Sequence, residues 1–216
     1  MRTGELMDLA WRLTVRAEGR RAVLGLAGPP GAGKSTLAEA LVAGLRGRYG
    51  ADAAAYVPLD GFHLSNAQLD RLGLAARKGS PPTFDVHGYA ALLRRLVLEP
   101  DHDVYVPDFD RTLDEPVAAR HVVRPGVRLV VTEGNYLACD LPGWPDARES
   151  IDELWYVEAG REERRRRLVE RQVAGGRTAG EAREWVRSND MPNAQIVEAS
   201  RASECVRLSF HWSGRE

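Results

Sequence analysis

The spacing of apolar positions changes several times along the chain, and each change marks a predicted element. Leu6, Leu9, Ala10, Leu13 and Ala17 recur at helical spacing, which predicts an amphipathic helix over residues 5–18. After Arg21 the unbroken run Ala22-Val23-Leu24-Gly25-Leu26-Ala27 fits a strand buried on both faces, as in parallel sheets. A Gly/Pro-rich loop follows, then a helical pattern from Thr36 to Leu45. Ala53 to Leu59 reads as a second strand ending at Asp60, beside the strand of the Gly/Pro-rich loop. Residues 64–82 are irregular, with a short helix at Asn66–Leu72 and a break at Pro81-Pro82. Tyr89 to Leu98 is helical, Val104–Val106 and Val117–Val123 are β-like, and Pro125-Gly126 is a turn. Arg128–Thr132 predicts a strand ending at Glu133, and Leu154–Val157 another. Arg161–Val173 is a charged helix interrupted at Gly175-Gly176; Glu181–Arg187 and Ala194–Ala202 look helical, and Val206–Phe210 fits a closing strand. Strands alternating with helices predict an α/β fold whose mostly parallel sheet is covered on both faces.

The 216 residues suit a single domain with a lid, and 44% hydrophobic with 28% charged residues is an ordinary globular composition. A formal net charge of -1 argues against broad electrostatic binding of nucleic acid or of an anionic membrane. No stretch approaches the ~18 apolar residues of a membrane span. Met1 to Arg21 is charged throughout, without the apolar core of a signal peptide, so a cytoplasmic location is expected. Cys139 and Cys205 lie far apart in sequence and form no metal-ligand spacing, which fits unreactive thiols in a reducing compartment.

Chemistry enters with Gly28-Pro29-Pro30-Gly31-Ala32-Gly33-Lys34-Ser35, which satisfies G-x-x-x-x-G-K-[ST] between a predicted strand and a predicted helix. Glycines let the backbone curl so that several N–H groups converge on phosphate oxygens, and the helix adds the positive end of its dipole. Lys34 is placed to bridge the β- and γ-phosphates of ATP, the Ser35 hydroxyl to ligate Mg²⁺, and Thr36 to support the α-phosphate region. The motif predicts nucleotide binding and says little about what the nucleotide is used for.

Ligands of open parallel sheets sit beyond the carboxyl ends of the strands, where Asp60 and Glu133 both fall. Asp60 opens Asp60-Gly61-Phe62-His63. A carboxylate there can take the proton of an attacking hydroxyl or hold Mg²⁺ through water, although Asp before Gly is also good turn chemistry. Glu133 ends an apolar strand before Gly134-Asn135-Tyr136 and looks like the acidic strand end that steers Mg²⁺ near the γ-phosphate.

Several runs together carry a family resemblance. Asp60 to Asn66, then Leu69, Leu72-Gly73-Leu74 and Arg77-Lys78-Gly79-Ser80-Pro81, are similar to bacterial type I pantothenate kinases. Tyr105-Val106-Pro107-Asp108-Phe109-Asp110-Arg111 resembles the substrate loop shared with uridine kinases and phosphoribulokinases, and Glu133-Gly134-Asn135-Tyr136-Leu137 resembles their acidic strand end. Ser188-Asn189-Asp190-Met191-Pro192-Asn193-Ala194 is similar to a signature of nucleoside/nucleotide kinase family proteins, a group that includes kinases named for fructose transport. The resemblance covers residues 20–210. It implies a three-layer P-loop NTPase fold with a parallel five-stranded sheet, a helical lid over about residues 161–187, and the use of ATP and Mg²⁺. Asp60 then matches the family's catalytic carboxylate. Tyr105 is followed by Val-Pro-Asp rather than Ser-His, and the aromatic wall that pantothenate kinases place after the lid is absent, so pantothenate is not the favoured acceptor.

Arg171 and Arg177 flank the Gly-Gly interruption, where a lid arginine can close over the transferring phosphoryl group. His63, Lys78, Tyr105, Asp108, Asp110 and Arg111, with Asn135 and Tyr136, are candidate acceptor-pocket residues suited to a polyol. Few aromatics fall in that pocket, which weakens a stacked nucleobase. Asn189, in Asn-Asp-x-Pro, reads as a helix cap. The expected partner is a small-molecule hydroxyl acceptor, with a homodimer left open. The alternative to a kinase is a regulatory NTPase whose hydrolysis drives a switch; no Asn-Lys-x-Asp guanine motif supports it.

Overall fold

The computed structural model describes residues 1–212. Helix α1 (Thr3–Arg16) leads into strand β1 (Ala22–Ala27), the phosphate loop and α2 (Lys34–Tyr49). Then come β2 (Ala54–Pro58), a 3-10 turn at Leu59–Phe62, the short α3 (Asn66–Arg71) and α4 (Val86–Leu98), which Asp85 caps through the Gly88 N–H at 2.8 Å. Strands β3 (Val104–Asp110) and β4 (Glu115–Val123) form an antiparallel hairpin of their own. The chain closes with β5 (Leu129–Glu133), α5 (Trp144–Arg148), β6 (Glu153–Glu158), α6 (Arg161–Ala174), α7 (Ala179–Trp185), a π-helical turn at Val186–Asp190, α8 (Met191–Ala199) and β7 (Val206–His211).

The main sheet has five strands in the order β2-β5-β1-β6-β7, all parallel. Side chains alternate across it with a period of two, so the central strands feed two cores. Ala22, Leu24 and Leu26 of β1 and Leu129 and Val131 of β5 pack with α1 and α2. Val23, Ala27 and Val130 pack on the other face with Tyr89, Leu93, Trp144 and Val197, from α4, α5 and α8. This is the predicted three-layer α/β fold with a five-stranded parallel sheet, and no described helix is long and apolar enough to cross a membrane.

Three expectations need correction. The strand carrying Asp60 does not neighbour β1, because β5 lies between them. Asp60 itself stands one residue into the 3-10 turn rather than on the strand. Asn189 caps no helix: α7 runs through the π turn into α8, and the Asn189 amide donates to the Lys78 carbonyl at 2.8 Å.

Candidate active site

The strand order sets the site. β1 delivers the phosphate loop, the adjacent β5 delivers Glu133, and β2 delivers Asp60 from the sheet edge. The loop bends tightly through Gly28, Gly31 and Gly33, at φ 143°, 78° and 96°. A Cβ on Gly28 would sit 2.3 Å from the Val157 carbonyl oxygen, so no other residue fits there. Lys34 and Ser35 open α2, whose first N–H groups point into the loop.

The Lys34 ammonium is buried and donates to Asn135 Oδ1 at 2.6 Å and to the Pro29 carbonyl at 3.2 Å. Burial pushes its pKa down to about 8, against the pull of Glu133 and Asp60. Glu133 is buried too, and its Oε1 accepts from Ser35 Oγ at 3.1 Å and from the Tyr56 hydroxyl at 2.9 Å. Burial, helped by the nearby Asp60 charge, raises the Glu133 pKa above the usual carboxylate range, with Lys34 opposing. Asp60 goes the other way. Burial raises it, but His63 when protonated, Arg111, Arg171 and Lys34 together outweigh burial and hold it below its ordinary value. Of the two acids, Asp60 keeps its charge more readily.

Two cavities meet here. The first is the phosphate cleft, lined by the loop residues Pro30, Gly31, Gly33, Lys34, Ser35 and Thr36 together with Glu133 and Arg167. The second, of about 400 Å³, is lined by His63, Lys78, Phe84, Phe109, Arg177, Trp185 and others. Asp60, Arg111, Asn135 and Arg171 line both and mark the passage between them. A space of that size admits a metabolite rather than a polymer. The glycine after Asp60 has a steric cause: a Cβ on Gly61 would come within 2.4 Å of the Pro107 carbonyl oxygen of β3.

The remaining candidates separate. His63 is half-buried between Phe84 and Phe109, and its Nδ1–H donates to the Asp60 carbonyl at 2.8 Å. Arg111 reaches Asp60 Oδ2 at 3.6 Å. Lys78 lines the cavity but commits its ammonium to Asn66 Oδ1 at 2.6 Å and to the carbonyl and carboxylate of Asp114, so it pins loop to hairpin rather than offering a free cation. Tyr105, Asp108 and Asp110 do not line either cavity. Tyr105 is 62% exposed on the hairpin. Asp108 pairs with His121 at 2.8 Å, and Asp110 holds the hairpin turn through the Thr112 and Leu113 N–H groups and Arg120. Tyr136 is fully buried against Phe84 and Trp144, with its hydroxyl donating to the Gly79 carbonyl, so it supports the wall from behind. Alternate strand residues face opposite ways, and a β-bulge between Val106 and Asp108 shifts that alternation, which is why one continuous motif supplies both site and hairpin residues.

Sequence reading missed Tyr56, Phe84, Trp185 and Asp190. Tyr56 bonds Glu133 across from β2 to β5, a pairing that strand order decides; Trp185 and Asp190 carry no signal until the segment from α7 to α8 packs onto the cavity.

A phosphate-binding loop with a strand-end acid and a second metabolite-sized cavity joined to it defines a P-loop kinase. The comparisons that span most of the chain agree. The profile of the family described as Methylmalonyl Co-A mutase-associated GTPase MeaB matches residues 5–58 alone, the segment around the phosphate loop. A Schizosaccharomyces pombe protein with the provisional name uridine kinase is 36% identical over 195 residues, covering 88% of this chain and 83% of its own. A crystal structure from Silicibacter sp. TM1040, provisionally named a fructose transport system kinase, superposes with a TM-score of 0.82 at 34% identity over 94% of this chain and 98% of that one. A D-glycerate 3-kinase from Cryptococcus neoformans shares the fold at a TM-score of 0.74 and 16% identity, covering 97% and 94%. The chain belongs to the superfamily of P-loop kinases that its motifs resemble, alongside this fission-yeast protein.

Proposed function

We propose that the protein transfers the γ-phosphoryl group of ATP to a hydroxyl of a small metabolite with Mg²⁺. The observation that carries the reading is the charged Asp60 carboxylate on the passage between the phosphate cleft and the second cavity. A switch NTPase has no need of a metabolite-sized chamber opening onto the γ-phosphate position. The names of the relatives, a uridine kinase and a glycerate kinase among them, support an alcohol acceptor without choosing one.

In this reading Lys34 and the loop N–H groups hold the β- and γ-phosphates, and Arg171 neutralises charge developing on the transferred group. Asp60 orients the acceptor hydroxyl and accepts its proton as the oxygen attacks phosphorus in line with the departing ADP. The residues fit a magnesium ion. Ser35 Oγ and Glu133 are hard oxygen donors 3.1 Å apart, and the buried Glu133 carboxylate with the half-buried Asp60 close enough to perturb it favours a cation. Among the described residues no group of three or more His, Cys, Asp or Glu side chains could hold a metal, so phosphates and water would complete its shell. A bound Mg²⁺ supplies charge neutralisation at the phosphate oxygens. Residues 161–187 act as the lid, with Gly175-Gly176 as its hinge and Gly176 at φ 96°. ADP release in the presence of single metabolites, confirmed by product mass, tests the reading; ATP hydrolysis that no alcohol stimulates and no phosphorylated product accompanies would overturn it.

A further inference from the structure

We propose that the acceptor carries an anionic group besides its reacting hydroxyl, a hydroxy acid or a phosphorylated polyol, and that Arg177 binds that anion. The inference rests on the kinase reading above and narrows its substrate class. Arg177 lines the second cavity and not the phosphate cleft, which separates it from Arg171, a wall of both. Its guanidinium lies over the Trp185 ring, 4.3 Å from the centroid, and donates to Gln172 Oε1. No carboxylate pairs with it among the described residues. A planar, always charged fork held flat on an indole loses little freedom on meeting a carboxylate or phosphate.

The carboxylates of the cavity do not cancel this charge. Asp60 has Arg111 beside it at 3.6 Å, and Asp114 is taken by Lys78 at 2.9 Å. Asp190 is 7% exposed, with Oδ2 buried and unpartnered, so that oxygen is shielded from the cavity space. It acts on Arg177 and Arg171 through its field, with no ion pair to Arg177, which donates instead to Gln172 Oε1. The cavity therefore offers a free cation at the end away from the phosphate loop.

The aromatic rings argue in the same direction. Phe84, Phe109 and Trp185 line the cavity, more aromatics than the sequence predicted. Their faces are occupied, however: Lys78 stands 4.9 Å over Phe109, Arg177 covers Trp185, and His63 packs on Phe84 at 4.1 Å. Each ring already has a neighbour on or near one face, which narrows the room for a stacked nucleobase.

The test uses the full chain loaded with Mg²⁺ and a non-hydrolysable ATP analogue, so that the phosphate loop is filled. Binding of glycerate, gluconate and glucose 6-phosphate is measured by calorimetry against glycerol, glucose and uridine. Anions should bind while their neutral counterparts do not. Arg177→Ala should weaken anion binding on the order of 10- to 100-fold, as loss of a charge-assisted pair does, with nucleotide affinity unchanged. Binding of uridine or neutral polyols in preference to the anions, absence of anion binding, or equal anion binding by Arg177→Ala would overturn the proposal. Arg177→Lys keeps the charge and loses the fork, and an intermediate affinity is expected from it; affinity no better than that of Arg177→Ala would also count against it. Anion binding without phosphoryl transfer to any alcohol would leave this site standing and indict the kinase reading instead.

Discussion

Replacing Asp60 with Asn separates a reacting carboxylate from a turn residue. Asn keeps the size and a carbonyl oxygen that can still orient a hydroxyl, and it suits the Leu59–Phe62 turn as well as Asp does. What is lost is basicity and one negative charge. Because His63, Arg111, Arg171 and Lys34 together hold the Asp60 carboxyl below its ordinary pKa against burial, it is a weak base, and its contribution belongs at the lower end of general-base effects. Turnover should fall about 10²- to 10³-fold, or ~2.7–4 kcal/mol in the barrier. The fold should hardly notice. The lost Arg111 contact is long, its guanidinium is half exposed, and such pairs contribute roughly 0–1 kcal/mol. Removing Asp60 also relieves its repulsion of Glu133. Nucleotide affinity should stay near that of the parent. The assay is phosphoryl transfer to the identified acceptor, with Tm and ATP affinity measured on the same preparation. A folded Asp60→Asn protein that turns over within tenfold of the parent would refute the reasoning.

Other outcomes follow from the same geometry. Burial lowers the Lys34 pKa to about 8 and bound phosphate favours the charged form, so ATP affinity should hold below about pH 8 and weaken above it; a flat profile to about pH 9.5 would contradict this. Lys34→Ala should lower turnover at least about 10²-fold in a folded protein, read by steady-state kinetics and circular dichroism. Tyr56→Phe removes one of two donors fixing Glu133 Oε1, so half-maximal Mg²⁺-dependent nucleotide binding should need several-fold more Mg²⁺, about 1 kcal/mol; an unchanged Mg²⁺ titration would contradict this. Arg21 is buried and donates to the carbonyls of Val127, Leu96 and Arg124, so Arg21→Met should destabilise the fold by about 2–4 kcal/mol in denaturant titration without changing the site.

Much of this protein was legible in its sequence because the relevant physics is local. A loop that must wrap phosphate needs glycine at positive φ and a lysine and a hydroxyl opening the next helix, all within eight consecutive residues. Apolar runs marked the buried strands, and the acids that follow two of them fell where ligands of a parallel sheet gather. Tertiary structure decided what those pieces meet. Strand order is set by crossovers and packing, so nothing local told that β5 separates Asp60 from the phosphate-loop strand. The substrate-loop motif held its residues in sequence but not in space: the pleat, shifted by the β-bulge between Val106 and Asp108, turned Tyr105, Asp108 and Asp110 away while Phe109 and Arg111 faced the cavity. The far wall came from Arg177, Trp185 and Asp190, residues more than sixty positions beyond that motif, brought back because α8 buries Val197 in that core while α7 packs on α6 and on the turn that joins it to α8.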